Sequence, residues 1–336
     1  MSASALAPAT LPRGLSVVVP CYHSAGSVGL LVEQLRPVLA AAAPAFEIIL
    51  VDDASRDRTG AVIAELAAAH PEVTAISLSR NYGQHAALLC GIRAARFDVV
   101  VTMDDDLQHP PSELLRLLAA LTDDIDVVYG TPAREPHGVF RGLASRLTKR
   151  VLQGAMGATT AGKVSAWRVF RTQLRAAFAE FRGSFVSIDV LLTWATHRFT
   201  HVVVRHDPRT IGTSNYTLRK LVTHAVNMMT GFSTIPLQLA SLIGFLLTGF
   251  GLAVMIYVIV RYALDGGSAP GFPFLACIIS IFSGAQLLCL GIIGEYLGRA
   301  HFRLLDRPSY LVRTAVVGGG GAPADQGAVP TTSPPG

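Results

Sequence analysis

Residues 98–111 read DVVVTMDDDLQHPP, and the reading of this stretch decides the fold. A β-branched apolar run, 98–104, ends in Asp104, Asp105 and Asp106 and then meets Pro110 and Pro111. Such a run closed by polar residues and prolines is a buried strand with its exit loop. Three adjacent carboxylates cannot pack in a core, because they repel one another and raise each other's pKa. A divalent cation relieves that repulsion, and Mg2+ takes one or two carboxylates plus phosphate oxygens and waters. Strand alternation would turn Asp104 and Asp106 to one side and Asp105 to the other. The plainer alternative is a solvated acidic turn capping the helix that begins near Pro111.

The same pattern repeats on both sides of this stretch. Runs 15–20, 47–52 and 73–79 are short, apolar and β-branched, and 126–129 is a further one. Between them lie Ala-rich helical stretches at 28–43, 59–70 and 84–96, with another at 112–121. Strands alternating with helices predict a mostly parallel α/β sheet, which binds ligands at the carboxyl ends of its strands. Those ends are polar throughout: Pro20-Cys21-Tyr22-His23-Ser24, Asp52-Asp53-Ala54-Ser55, Arg80-Asn81-Tyr82-Gly83-Gln84 and the aspartate triplet. Asp52 and Asp53 read either as a turn and helix cap or as partners of a nucleotide's base or ribose. Asp57 and Thr59 read equally well as caps of the next helix.

The chain has 336 residues, room for about two domains. Only 15% of residues are charged, against about 25% in an average soluble domain. That excludes disorder for the bulk of the chain and points to membrane contact. The net charge of +5 is too diffuse for a nucleic-acid partner and suits anionic lipids or phosphorylated substrates. Four isolated cysteines without a CxxC pair argue against a disulfide scaffold or a structural zinc site.

Segments 234–260 and 272–294 contain no charged residue and are predicted transmembrane helices 1 and 2. Arg209, Arg219 and Lys220 precede the first, and Arg299, Arg303, Arg307 and Arg313 follow the second, while the connecting loop holds one arginine. The positive-inside rule then predicts both termini, and with them everything before Thr234, on the cytoplasmic side of a cell inner membrane. Residues 216–231 place Leu218, Leu221, Val222, Ala225 and Met229 on one face, as an interfacial amphipathic helix does. The expected organisation is a disordered N-terminus 1–13, an α/β domain 14–215, these three helices, a cytoplasmic juxtamembrane segment 295–316 and a disordered tail 317–336.

Several nucleotide and metal signatures are missing. No GxGxxG follows a strand, and no HExxH or GxSxG occurs. Residues 157–164, GATTAGKV, end in Val164 where a P-loop needs Ser or Thr for Mg2+.

The strand ends, in this order, resemble those of the family 2 inverting glycosyltransferases with the GT-A (nucleotide-diphospho-sugar transferase) fold, and within them the polyprenyl-phosphate glycosyltransferases. VVVPCYH, ILVDDASRDRT, LSRNYGQHAALLCGI, MDDDLQHPP, FSTIPLQLAS and GIIGEYLGR all have counterparts there. The resemblance implies a nucleotide pocket lined by Pro20, Tyr22, Asp52 and Asp53, with Asn81, Asp105 and Ser214 also on the donor. It implies Asp104 and Asp106 as the DxD pair at Mg2+ or Mn2+, with Gln108 beside them. Arg134, Arg141 and Ser145, and Arg209 before the membrane helices, match residues implicated around the phosphates. The implied reaction moves one sugar from a nucleotide-diphosphate sugar to a polyprenyl phosphate with inversion, at the membrane lipid surface. This family often assembles as a homo-oligomer through its membrane helices.

Some positions depart from the pattern. The first motif usually continues Tyr-Asn-Glu, where this chain has Tyr22-His23-Ser24; a usual Asp-Phe-Arg is Ala166-Trp167-Arg168; a usual Ser-Lys-Tyr is Ser214-Asn215-Tyr216. These departures motivate a rival reading as a non-catalytic, membrane-anchored nucleotide-sugar-binding protein. A processive polysaccharide synthase is the other rival, but no QxxRW motif is present.

Overall fold

The computed structural model describes residues 12–132, 164–183, 186–207, 235–264, 271–305 and 307–318. They fall into two units, one formed by Met1–Tyr216 with Arg307–Gly336 and the other by Thr217–Asp306.

The first unit is built on β1 (Leu15–Cys21), α1 (Val28–Ala42), β2 (Phe46–Asp52), α2 (Thr59–Ala69), β3 (Val73–Leu78), α3 (Gln84–Ala94) and β4 (Val99–Thr102). A 3-10 turn, Pro111–Glu113, leads into α4 (Leu114–Ala119). Then come β5 (Val127–Pro132), β6 (Arg168–Arg171), α5 (Ile188–Ala195) and β7 (Phe199–Val204). Strand β8 (Val312–Val317) completes an eight-stranded sheet of order β7-β5-β6-β4-β1-β2-β3-β8. Strands β1 to β4 are mutually parallel, β6 runs against both β4 and β5, and β8 runs against β3.

The strands form because their side chains alternate between two apolar layers. Val17, Val19, Ile48, Leu50, Val99 and Val101 face one core, shared with α1 and α2. Val18, Ile49, Val51, Val100 and Tyr129 face the other, shared with α3 and α5. All are essentially inaccessible, and each buried Val, Leu or Ile contributes about 1.5–3 kcal/mol. From β1 the chain order proceeds to β2 and β3 on one side and to β4 on the other. This reversal opens a crevice beyond the carboxyl ends of β1 and β4, where doubly wound sheets hold their ligands. Register pairs Cys21 with Asp52 and Val18 with Thr102, so Tyr22, Asp53 and Asp104 emerge along one rim.

The second unit contains α6 (Ile235–Leu264) and α7 (Phe272–Leu304). At about 1.5 Å per residue both exceed a hydrocarbon core of about 30 Å. Within them 237–264 and 281–298 have mean hydropathies of 2.4 and 1.4, and neither window is buried. The Cys289 thiol donates to the Ala240 carbonyl (3.4 Å), and the Phe282 ring lies against Gly251. These two contacts run in opposite chain directions, so the helices form an antiparallel pair joined at small residues.

The α/β expectation is borne out, with several boundaries redrawn. The segment expected as juxtamembrane, 295–316, divides: its first residues extend α7 to Leu304, and its end is strand β8. The apolar helix expected at 234–260 runs on to Leu264. The interfacial helix 216–231 lies outside the described residues, as do most of 1–13 and 317–336.

Candidate active site

Four loops leave the carboxyl ends of β1 to β4, and each contains one residue with positive φ: His23 (59°), Ala54 (54°), Gly83 (93°) and Leu107 (60°). For the three non-glycine residues this conformation costs about 1–2 kcal/mol each. Such strain persists where the surroundings over-determine the backbone, and it concentrates at functional rims.

The loop after β1 is tied to its neighbours. Ser24 N–H donates to Thr59 Oγ1 (2.8 Å), Tyr22 N–H to Ser24 Oγ (2.9 Å) and His23 N–H to Ser55 Oγ (3.0 Å). Pro20 is buried at the strand end, while the Tyr22 ring stands 46% exposed, edge-on to His23 at 4.4 Å. Tyr22 therefore presents an open aromatic face at the mouth of the crevice.

Asp52 and Asp53 are both buried but differ in use. Asp52 accepts Ser55 N–H (3.1 Å), and its other oxygen faces the start of α2 at Gly60. Asp53 spends its carboxylate on the chain, accepting Tyr82 N–H (2.7 Å) and Gly83 N–H (2.8 Å). Burial raises the Asp53 pKa and those two amides partly offset it. Asp53 is thus a staple for the 79–83 loop. In that loop Asn81 is exposed, Arg80 lies 4.6 Å over the Tyr82 ring, and Ser79 and Tyr82 share a hydroxyl bond (3.1 Å). Asp57 accepts both Thr59 N–H and Thr59 Oγ1, which is the capping alternative for that pair.

The three aspartates after β4 take three different partners. Asp104 accepts from Gln84 Nε2 (2.6 Å), the first residue of α3. Asp105 bonds the Ser24 hydroxyl, which links the β4 and β1 loops across the crevice. Burial and the Asp106 charge raise the Asp105 pKa against that bond. Asp106 accepts the Gln108 amide N–H (3.2 Å) and shapes its own turn. Gln108 Nε2 donates to the Asp207 carbonyl (3.3 Å) while Asp207 N–H returns a bond to Gln108 O (2.9 Å). The segment following β7 is therefore clamped to the aspartate loop.

Among the described residues no three His, Cys, Asp or Glu side chains converge as a metal cage. A cation held at Asp104 and Asp106 would need phosphate oxygens and waters for its remaining positions. That donor set fits Mg2+ or Mn2+ accompanied by a diphosphate, and not a structural zinc.

A buried ion pair that the sequence did not reveal stands behind the rim. Arg168 Nε and Nη2 donate to Asp189 (2.6 and 2.9 Å), and Tyr129 OH joins them (3.1 Å). Arg168 Nη1 also donates to Thr102 Oγ1 (3.2 Å) and the Ala166 carbonyl (3.0 Å). Burial raises the Asp189 pKa, but the Arg168 charge outweighs it and holds the carboxyl below its ordinary value. The Arg168 of Ala166-Trp167-Arg168 is thus committed to the core at the end of β4, two residues before Asp104. His109 is buried too, pushed down to about 4 by burial and by His206, and packs on Trp167 (5.1 Å). The expected phosphate-side residues Arg134, Arg141, Ser145 and Arg209, and Ser214 on the donor, lie outside the described residues.

The pattern of glycosyl transferase family 2 matches residues 16–179. The undecaprenyl-phosphate 4-deoxy-4-formamido-L-arabinose transferase of Yersinia enterocolitica is 34% identical over 309 residues, 90% of this chain and 94% of that protein. Its namesake in Pectobacterium carotovorum is 33% identical over 308 residues, with the same coverage. Among solved structures, a Mycobacterium tuberculosis glucosyl-3-phosphoglycerate synthase with Mn2+ and UDP-glucose has a TM-score of 0.46 and 19% identity, over 65% of this chain and 77% of that one. With its aspartate rim at the β1/β4 reversal and relatives matched along nine-tenths of its length, the chain belongs to glycosyl transferase family 2.

Proposed function

We propose that this glycosyltransferase moves a single sugar from a nucleotide-diphosphate donor to a polyprenyl phosphate of the undecaprenyl type, forming a lipid-phosphate-linked sugar for cell-envelope assembly. The observation that carries this reading is the strand-end rim itself, Tyr22, Asp52, Asp104 and Asp106 on one crevice, in a chain so similar to undecaprenyl-phosphate sugar transferases.

In this reading Tyr22 and Asp52 receive the nucleoside, and Asp104 and Asp106 hold Mg2+ or Mn2+ at the diphosphate. The cation would stabilise negative charge developing on the leaving nucleoside diphosphate. Gln84 orients Asp104, and the Ser24–Asp105 bond keeps the two loops at a fixed spacing. The acceptor phosphate is already anionic, so it needs orientation and charge screening more than a base. Arg134, Arg141 and Arg209 would supply both, because the guanidinium fork binds two phosphate oxygens. Ser145 would add a hydroxyl donor to the same phosphate. In-line attack inverts the anomeric configuration.

Two features support a membrane location with both ends of the chain on the catalytic side. Helices α6 and α7 are long and apolar enough to cross. The chain leaves the sheet unit before α6 and re-enters the same sheet at β8, as an even number of crossings requires.

The test uses washed membranes containing the protein, Mg2+ or Mn2+, undecaprenyl phosphate and a panel of labelled nucleotide sugars that includes 4-deoxy-4-formamido-L-arabinose. Label entering the organic phase as an acid-labile, single-sugar lipid is the expected result. Intact nucleotide-sugar binding with no transfer from any donor would overturn it in favour of a binding protein.

A further inference from the structure

We propose that residues 309–317, which follow the apolar helices in the chain, are a positioning element for the donor site, bracing the 79–83 loop from behind. The proposal rests on the reading of that loop as part of the donor site.

The brace has three points of attachment. Strand β8 runs antiparallel along β3, from Val317 opposite Thr74 to Val312 opposite Leu78. One further bond, Ser79 N–H to the Leu311 carbonyl (2.8 Å), carries the ladder beyond the strand into the first residue of the loop. Tyr310 turns the other way and packs on α3, with the Arg93 guanidinium 5.6 Å from its ring. Ser309 accepts the Gly183 N–H (3.1 Å), tying the segment to the chain before α5. At the far end, a Cβ on Gly318 would collide with the His70 carbonyl oxygen. Only a glycine lets the chain pass so close to the turn before β3.

The 79–83 loop connects β3 to α3, so a segment bonded to both elements sets their separation and with it the loop's span. The loop's inner side is already held by Asp53 at Tyr82 and Gly83, and its last contact, Gln84, reaches Asp104. Without β8, β3 would be an edge strand with a free row of amides, and the loop at its end would open locally. Residues synthesised after both apolar helices therefore complete the donor side of the rim.

The experiment uses the full chain in detergent or membranes, with Tyr310→Ala, Tyr310→Phe and the double variant Thr314→Pro/Ala315→Pro. Successive strand residues point their N–H groups to opposite sides, so one of the two prolines must remove a ladder bond to β3. Two quantities are read: KM against kcat for the nucleotide sugar, and hydrogen exchange at Tyr82 and Gly83. We expect donor KM to rise about fivefold with kcat within about twofold, the signature of lost ground-state positioning. Exchange at the two amides should quicken about tenfold in Tyr310→Ala and in the double variant, and by less in Tyr310→Phe, which keeps the ring on α3 but loses the hydroxyl's bonds to Cys90 and Arg93. If the double variant does not fold, the Tyr310 pair decides. Unchanged exchange at Tyr82 and Gly83 in Tyr310→Ala overturns the proposal, whether or not transfer is detected. Accelerated exchange in a chain that transfers no sugar supports the brace and overturns only the assigned reaction.

Discussion

Arg168 and Asp189 meet side-on through two bonds of 2.6 and 2.9 Å, at 3% and 6% exposure, and the same guanidinium reaches Thr102 at the end of β4. The pair anchors β6 and α5 to the strand that delivers Asp104. Its charge is balanced within the protein, so it costs little only while both partners are present.

Asp189→Asn should destabilise the fold by about 3–5 kcal/mol, because it leaves the Arg168 charge buried without its partner. The Asp189 carboxyl lies below its ordinary value of 3.8 in the folded chain. Its contribution is therefore present above that value and lost as pH falls through the folded pKa. Denaturant midpoints at neutral and acid pH should show the parent losing this increment in acid and Asp189→Asn showing no such loss from this site.

Asp104→Asn and Asp106→Asn should each lower sugar transfer by about 100-fold or more, since each removes charge from the site proposed to face the leaving diphosphate. Chelation should abolish transfer by the parent, and Mg2+ or Mn2+ should restore it. Full activity in Asp106→Asn would remove that carboxylate from the metal site.

Ala54 holds φ at 54°, where a side chain is strained. Ala54→Gly removes a cost of about 1–2 kcal/mol and adds about 0.5–1 kcal/mol of backbone entropy, so a net gain of up to about 1.5 kcal/mol is expected. Thermal unfolding of the variant should move up by a few degrees. A fall would show that the loop pays for its shape elsewhere.

Cysteines placed in the 265–270 connection and at Tyr22 should label from opposite sides of sealed membrane vesicles, because one crossing, α6, separates them. Labelling of both from the same side would contradict the two-span arrangement.

The sequence alone determined the parts of this protein that rest on local chemistry. Alternating β-branched runs and Ala-rich stretches marked β1 to β4 and α1 to α3, because each strand face meets its own apolar layer. Three adjacent aspartates could only be a solvated or cation-bearing strand end, and long uncharged segments could only be apolar helices. What joins distant residues left no such local mark. Arg168 and Asp189 are each ordinary in their own segments, and only the folding of β6 beside α5 makes them a buried pair. Asp52 and Asp53 are chemically identical neighbours, yet backbone geometry turns Asp53 onto the 79–83 amides. The β8 strand, VRTAVV, follows a helix of 33 residues, and its place beside β3 depends on an open sheet edge far away in the chain. A hydrophobic period is written in consecutive residues, whereas the partner of a charge or of a strand edge is chosen only when the sheet closes.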